Sequence, residues 1–444
     1  MPDEPAHNRL PGSAAYAWYV IAVLMVLNVS SFIDRQVMAL LVTPIKADLG
    51  LSDTEMGLLL GPAFAVTFAL AVIVVGPLVD RVSRRAIIGC GVAFWSVMCT
   101  ATGVANTFGQ VFATRVGVGV GEATLSPSAY SLIADYFPPR RLAMAMSVFT
   151  SGVFVGAGLA YLIGGLLVEA VQDAQPWSLP LVGDVRPWQR VFIILGVAGL
   201  ALALLVPTIR EPERGRTTGL RAGSSFGAGD ARRWAMRHRA AYLTFGVGIA
   251  CYAIVNYATA FWFPSYFERS HQWSTSKIGV LMGVATAVFG TLGVLAGGRL
   301  ADWLKTRGRT DGNLIVLIGS GLVSIAAGFP LFLATSEPVL IASLVVTSIV
   351  AAAPFGAAAA AAQEMTPPPM RGTASAVLVF LLNFIGLGLG PPLAAFLTDS
   401  VFGDPAMLGL SLLTVTVAGR ALAAALVWSG LGAHRRALLE VGQA

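Results

Sequence analysis

The apolar positions of this chain fall into long blocks, not into short stretches alternating with polar residues. A helix rises about 1.5 Å per residue, so about 20 apolar residues cross the hydrocarbon of a bilayer. Twelve blocks meet that length, at approximately 16–44, 54–78, 86–105, 107–136, 142–169, 188–209, 241–268, 276–303, 313–334, 338–363, 371–398 and 405–429. The pattern predicts an all-α membrane protein of twelve transmembrane helices. Between the sixth and seventh blocks lies a charged, Gly- and Ser-containing linker. The expected organisation is a tail at 1–15, a six-helix bundle at 16–210, a linker at 211–240, a second six-helix bundle at 241–430 and a tail at 431–444.

The halves repeat one another. SDTEMG at 52–57 returns as STSKIG at 274–279, and the same offset of 222 carries Gly76 and Asp80 onto Gly298 and Asp302. DYFPPRRLAMA at 135–145 corresponds to EMTPPPMRGTASA at 364–376 at an offset near 230. Three landmarks in the same order predict two bundles related by a pseudo-twofold axis, the construction of carriers with two rocking halves.

Composition fits this picture: 56% of the 444 residues are hydrophobic and 12% are charged. The polar, proline-containing start MPDEPAHNRLPGSAA lacks the form of a cleavable signal peptide, so the first helix is expected to stay. The net charge of +6 is distributed by topology. With the amino terminus inside, cytoplasmic segments carry 21 of the 29 Lys and Arg, and outside loops carry five. This positive-inside pattern places both termini in the cytoplasm of an inner-membrane protein and excludes a nucleic-acid partner. Cys90, Cys99 and Cys251 lie inside blocks without metal-ligand spacing and read as small apolar packers. No histidine falls within a block, no metal or cofactor is expected, and no nucleophile stands beside a base at helical spacing, so the chain does not read as an enzyme.

The chemistry lies in charges that a bilayer disfavours by about 2.5–3.5 kcal/mol each. Asp34, Arg35, Arg115, Glu122 and Arg420 all fall well inside predicted spans. Arg115 and Glu122 are seven residues apart and share a helical face with Ser126, while Gly117, Gly121, Thr124 and Ser128 form a small-residue stripe on the other side, suited to close packing. Two readings stand for Arg115 and Glu122: a buried ion network tying helices together, or ion coupling and substrate binding. On the first helix, Asp34 and Arg35 point about 100° apart. Asp34 is expected to face a cavity as a proton switch beside Glu122, with a static ion pair as the alternative, and Arg35 to act as a structural charge, as is Arg420. In the second half Tyr252, Asn256 and Thr259 share one face and join Asn383 as expected substrate contacts, with plain core packing as the alternative. Asp80, Arg81, Arg84 and Arg85 of the turn GPLVDRVSRR, with Asp135, Asp302 and Glu364, are expected to form cytoplasmic gate contacts, with a turn that only fixes topology as the alternative.

The Gly-x-x-x-Asp-Arg-x-x-Arg-Arg turn at 76–85, its degenerate copy at 298–307, the Arg-containing fourth helix and the Gly-rich fifth helix (SGVFVGAGLAYLIGG) resemble the major facilitator superfamily. More narrowly, the Asn28 to Arg35 run, LSDTEMGLL at 51–59 and R-x-G-x-G-x-G-E-A followed by IADYFPPRRLAMA resemble the Spinster family of lipid carriers and its bacterial members. The resemblance implies a monomeric carrier of lysophospholipids or sphingosine-phosphate-like lipids, driven by protons through alternating access. It places Asp34, Arg115 and Glu122 at that family's titratable and binding charges, with Arg115 meeting the anionic head. The alternatives are a polyspecific drug and proton antiporter and, more distantly, a non-transporting membrane receptor.

Overall fold

A computed structural model describes residues 14–79, 81–137, 139–172, 177–179, 183–212, 228–367 and 370–443. Asp80, residues 1–13 of the expected tail and residues 213–227 of the expected linker lie outside the described residues. The described chain is helical apart from short turns and one two-stranded hairpin, Trp177–Leu179 against Gly183–Val185, which the hydropathy pattern did not predict. Its spanning helices are α1 (Ala14–Leu40), α2 (Asp53–Val79), α3 (Arg84–Thr102), α4 (Phe108–Glu122 and Leu125–Tyr136), α5 (Pro139–Gln172) and α6 (Pro187–Thr208) in the first half. In the second half they are α7 (Arg239–His271), α8 (Thr275–Thr306), α9 (Gly312–Leu333), α10 (Glu337–Glu364), α11 (371–402) and α12 (Leu408–Gln443).

Among the described residues eleven helices are individually long and apolar enough to cross a membrane. The twelfth expected span is α4, which is broken at Ala123–Thr124 into pieces of 15 and 12 residues. Pro127 explains the break: it has no N–H for the Ala123 carbonyl and its ring crowds that group. α10 breaks in the same way at Ala353, just before Pro354. The two breaks differ by 229 to 230 residues, the second repeat offset read from the sequence. α7 and α12 run further than their hydropathy blocks, so His271 and His434 lie on helix ends.

The chain forms two compact units that follow the halves with one reciprocal exception. Ser52–Pro62, the start of α2, belongs to the second unit, and Thr275–Gly283, the start of α8, belongs to the first. Shifted by 222 residues, the first segment covers 274–284 and contains the second. Each ends at a local irregularity, Gly61 before Pro62 in α2 and the π-helical turn Ala285–Gly290 in α8.

In the second unit the α2 segment is held by polar contacts. The Asp53 carboxylate takes two parallel bonds from Arg269, at 2.6 and 2.7 Å, with Asp53 fully buried. Asp399 accepts from the Thr54 amide at 2.6 Å and its hydroxyl at 2.8 Å. Such bidentate, charge-assisted bonds fix geometry as well as adding energy. In the first unit the α8 segment is held by close backbone approach: a Cβ on Gly279 would stand 2.6 Å from the Tyr161 carbonyl oxygen and 2.9 Å from the Gly165 Cα.

The small-residue stripe of α4 packs on α3. A Cβ on Gly121 would meet the Trp95 Cβ at 2.7 Å, the Trp95 amide at 2.9 Å and the Gly91 carbonyl at 3.0 Å. Because two of those atoms are backbone, the clash cannot be relieved by a rotamer change. Gly121→Val is therefore expected to lower the melting temperature of the detergent-purified protein by several degrees or to abolish folding. Gly109→Ala, with nothing within 4 Å of the added carbon, leaves it unchanged or raised.

Candidate functional site

Four of the charges singled out by the sequence meet in the first unit. α1 supplies Ser31, Asp34 and Arg35, and α4 supplies Arg115 and Glu122, the latter at the end of its first piece. Asp34, Arg115 and Glu122 are each no more than 2% exposed. Glu122 Oε2 accepts from the Ser31 hydroxyl at 2.6 Å and from Arg35 Nε at 2.5 Å, and Arg35 also donates to Ser31 at 3.2 Å. The Arg35 guanidinium lies over three rings, 4.5 Å from the centroid of Phe64, 5.0 Å from Phe68 and 5.1 Å from Phe32. An aromatic cage of this kind holds a cation where water is excluded.

Arg115 and Glu122 do not bond to one another, as their seven-residue spacing requires. Arg115 Nη1 instead donates to the backbone carbonyl of Asp34 at 3.3 Å. The Asp34 carboxylate turns away, towards α3 and α6: Cys99 Sγ stands 3.6 Å from Asp34 Oδ1 and equally far from the Phe192 carbonyl. Three buried polar atoms of the cluster have no hydrogen-bond partner, namely Asp34 Oδ2, Glu122 Oε1 and Arg115 Nε.

This corrects the expected facing of the two charges on α1. Asp34 is the enclosed member, packed between helices, and Arg35 is the one that keeps exposure, 15% of its side chain. The two are bonded to different partners, so separating them by helix geometry holds, but their facing is the reverse of the expectation. Cys99, read as a packer, is the side-chain neighbour of Asp34. The Phe64 and Phe68 rings belong to the i, i+4 pattern FAVTF and could have been found as an aromatic face. Ser126 is half-buried beyond the break in α4.

In the second unit the expected ligand contacts serve another cation. Arg420 of α12 donates to the Tyr252 carbonyl at 3.2 Å and to Asn256 Oδ1, and its guanidinium lies 3.5 Å from the centroid of the Tyr252 ring. Tyr252 Oη and Asn256 Nδ2 donate in turn to the carbonyls of Val350 (2.9 Å) and Ala351 (3.4 Å), beside the break in α10. At the 222 offset Asn256 stands where the first half has Asp34, and at the 229 offset Ala351 stands where it has Glu122. The second cluster is thus an echo of the first with both acids gone. Its polar groups are spent on helix packing, which corrects the expectation that Tyr252 and Asn256 are presented to a ligand. Thr259 bonds back to carbonyls of its own helix, and Asn383 accepts from Tyr257 at 3.4 Å.

At the turn between α2 and α3, Arg84 is the hub. It pairs with Asp135 and, at 2.7 Å, with Glu211, and donates to the Ser131 hydroxyl and the Pro212 carbonyl. Glu211, which the sequence reading missed inside a polar linker, also accepts from the Ser83 hydroxyl and the Arg85 amide, both at 2.9 Å. Arg81 is exposed. Glu364 does not join this set as expected: it pairs with Lys305 at 2.5 Å and accepts from Asn313 at 2.8 Å within the second unit. Asp302 is exposed.

The Major Facilitator Superfamily model matches residues 24–391. The chain belongs to the major facilitator superfamily. Its structure superposes on the crystal structure of a bacterial homologue of the human lysosomal transporter Spinster, inward-facing and unoccupied. The TM-score is 0.79 at 28% identity, over 97% of this chain and 99% of that one. An MFS-type efflux pump of Mycolicibacterium smegmatis is 28% identical over 96% of this chain and 95% of its own length. Protein spinster of Drosophila melanogaster is 27% identical over 72% of this chain, which spans about half (51%) of that longer protein. The sphingosine-1-phosphate transporter of Mus musculus is 26% identical over 67% of this chain and 54% of its own length. As a member of the superfamily, the chain is an integral multi-pass membrane protein that transports a small-molecule substrate, not an enzyme.

Partial burial pushes the Glu211 carboxyl up, but the Arg85 amide, Arg84 guanidinium and Ser83 hydroxyl outweigh it and hold the group below the ordinary glutamate range. A lowered carboxyl pKa contributes stability above about pH 4.3, the unfolded value, and loses it as pH falls through the folded one. Glu211→Gln is therefore expected to cost about 1–3 kcal/mol near neutral pH. A melting series from pH 7 to pH 3 should show the gap to the parent protein closing in acid.

Proposed function

We propose that this superfamily member carries an anionic amphipathic lipid of the lysophospholipid or sphingosine-phosphate kind, coupled to protons. The observation that carries the reading is the enclosed cluster in which Arg35 is held by Glu122 beneath a cage of phenylalanines, with Asp34 beside it and a partnerless oxygen on each acid. A proton on Glu122 releases Arg35 from its carboxylate. The freed guanidinium, with Arg115 behind it, is then available to a phosphate head, while Phe32, Phe64 and Phe68 offer apolar surface to the tail. Proton and anion thus favour one another's binding, a coupling that is reciprocal by linkage. Asp34 takes part as the second titrating acid. Arg81, Arg84 and Asp135 act in gating.

The lipid class is supported by the similarity to Drosophila spinster and to the mouse sphingosine-1-phosphate transporter. The distribution of Lys and Arg supports a topology with both termini in the cytoplasm. A proton-coupled drug antiporter is the second reading, favoured by the near full-length similarity to the mycobacterial efflux pump.

In liposomes with an imposed pH gradient, a fluorescent lysophosphatidylglycerol is expected to move at a gradient-dependent rate. Glu122→Gln and Asp34→Asn should each lower that dependence at least tenfold, and Arg35→Gln should abolish transport. Transport of a lipophilic cation but not of the lysolipid selects the antiporter reading. Lysolipid movement with an unchanged pH response in the double acid variant removes the coupling.

A further inference from the structure

Away from the charge cluster, the second unit holds a cavity of about 480 Å³ between α9 and α12. Its walls are Ile315, Ile318 and Gly319 of α9 and Trp428, Leu431 and Arg435 of α12, with Arg309 of the preceding turn at the mouth. We propose that this cavity binds the headgroup of an anionic phospholipid, with the phosphate between Arg309 and Arg435 and the first acyl methylenes against Trp428, Ile315 and Leu431.

Helix length sets the level of the site in the membrane. α12 has 36 residues and is about 54 Å long, well beyond the roughly 30 Å of hydrocarbon. Trp428 comes about 30 Å after Leu408, about one hydrocarbon thickness along the helix. It is 68% exposed, the position and chemistry of an interfacial tryptophan. Arg435, two turns on, stands about 10 Å further out, at headgroup level. α9 starts at Gly312, which puts Arg309 just outside its own apolar run and Ile315 and Ile318 just inside.

The charges are complementary to a phosphodiester. Arg435 Nη2 bonds Asp311 Oδ2 at 2.7 Å, and Arg309 Nε stands 3.6 Å from Asp311 Oδ1, with Asp311 itself buried. One carboxylate therefore orients two guanidinium groups and leaves a net positive site. A guanidinium carries five N–H donors, so a single contact to Asp311 leaves most of each fork for an acceptor. Both side chains are about half exposed, 57% for Arg309 and 48% for Arg435. A free inorganic anion would gain nothing from the isoleucine and leucine wall, and a soluble protein would not reach a cavity whose floor lies within the hydrocarbon. A lipid uses both parts, and basic pockets between transmembrane helices at the membrane surface are suited to such headgroups.

The experiment is native mass spectrometry of the full chain in detergent, incubated with phosphatidylglycerol or phosphatidylcholine of identical acyl chains. Phosphatidylglycerol adducts should survive at least fivefold better than phosphatidylcholine adducts. Arg309→Gln, which keeps the Arg435 to Asp311 bond, should reduce the preference about fivefold, the worth of one basic residue at an anionic surface. Trp428→Ala should weaken both lipids alike, and the Asp34→Asn and Glu122→Gln pair should leave the preference intact, since it belongs to a different site. Equal retention of the two lipids, an unchanged preference in the Arg309→Gln, Arg435→Gln double variant, or displacement of phosphatidylglycerol by an equal concentration of glycerol phosphate would each overturn the proposal.

Discussion

The constraint on which the first unit depends is that an ionised group inside a bilayer must be surrounded by matched partners. Each of Asp34, Arg35, Arg115 and Glu122 would by itself disfavour insertion by about 2.5–3.5 kcal/mol. Brought together their formal charges cancel, although a single oppositely charged pair among them is in direct contact. Glu122 and Arg35 bond directly, Arg115 bonds a backbone carbonyl, and the Asp34 carboxylate has a thiol as its hydrogen-bond neighbour. A network held solely for stability would be improved by apolar replacements. Here Asp34 Oδ2, Glu122 Oε1 and Arg115 Nε remain buried without a hydrogen-bond partner.

The backbone serves the same arrangement. The Pro127 break lets the first piece of α4 end at Glu122, and glycines on its other face bring α3 close enough for Cys99 to reach Asp34. In the second unit an equivalent break in α10 frees carbonyls that Tyr252 and Asn256 satisfy, and these two in turn hold Arg420. One half uses the position for titratable side chains and the other for fixed amides and carbonyls. That division leaves the buried acids in the amino-terminal unit and neutral amides and carbonyls around Arg420 in the other.

Much of this was legible in the sequence because charge in an apolar run is conspicuous and repeats preserve spacing. The twelve spans, the 222 and 230 offsets and the placing of Asp34, Arg35, Arg115, Glu122 and Arg420 within spans could be read from pattern. The partners could not. Whether Asp34 or Arg35 is the more enclosed depends on the rotation of α1 against α2, α3 and α6, which a difference of about 100° on a helical wheel does not decide. Glu211 is one acid in a polar linker, with no local sign that it caps α3 and binds Arg84. Asp53 and Arg269 are 216 residues apart and meet only through tertiary packing. Arg420 was visible as a buried cation, but the aromatic ring and amide that hold it carry no charge to mark them.

The exchanged starts of α2 and α8 bear on how such a chain could arise. Each unit is completed by eleven or nine residues covalently belonging to the other half, at corresponding points of the repeat. Two copies of a six-helix chain that traded the same segment would form a domain-swapped dimer, and joining them end to end would preserve the trade. Fusion then frees the two copies to diverge. Close glycine approach holds both arms, Gly61 against the Leu387 carbonyl and Gly279 against the Tyr161 carbonyl, and the ion pair of Asp53 with Arg269 adds charge to the first.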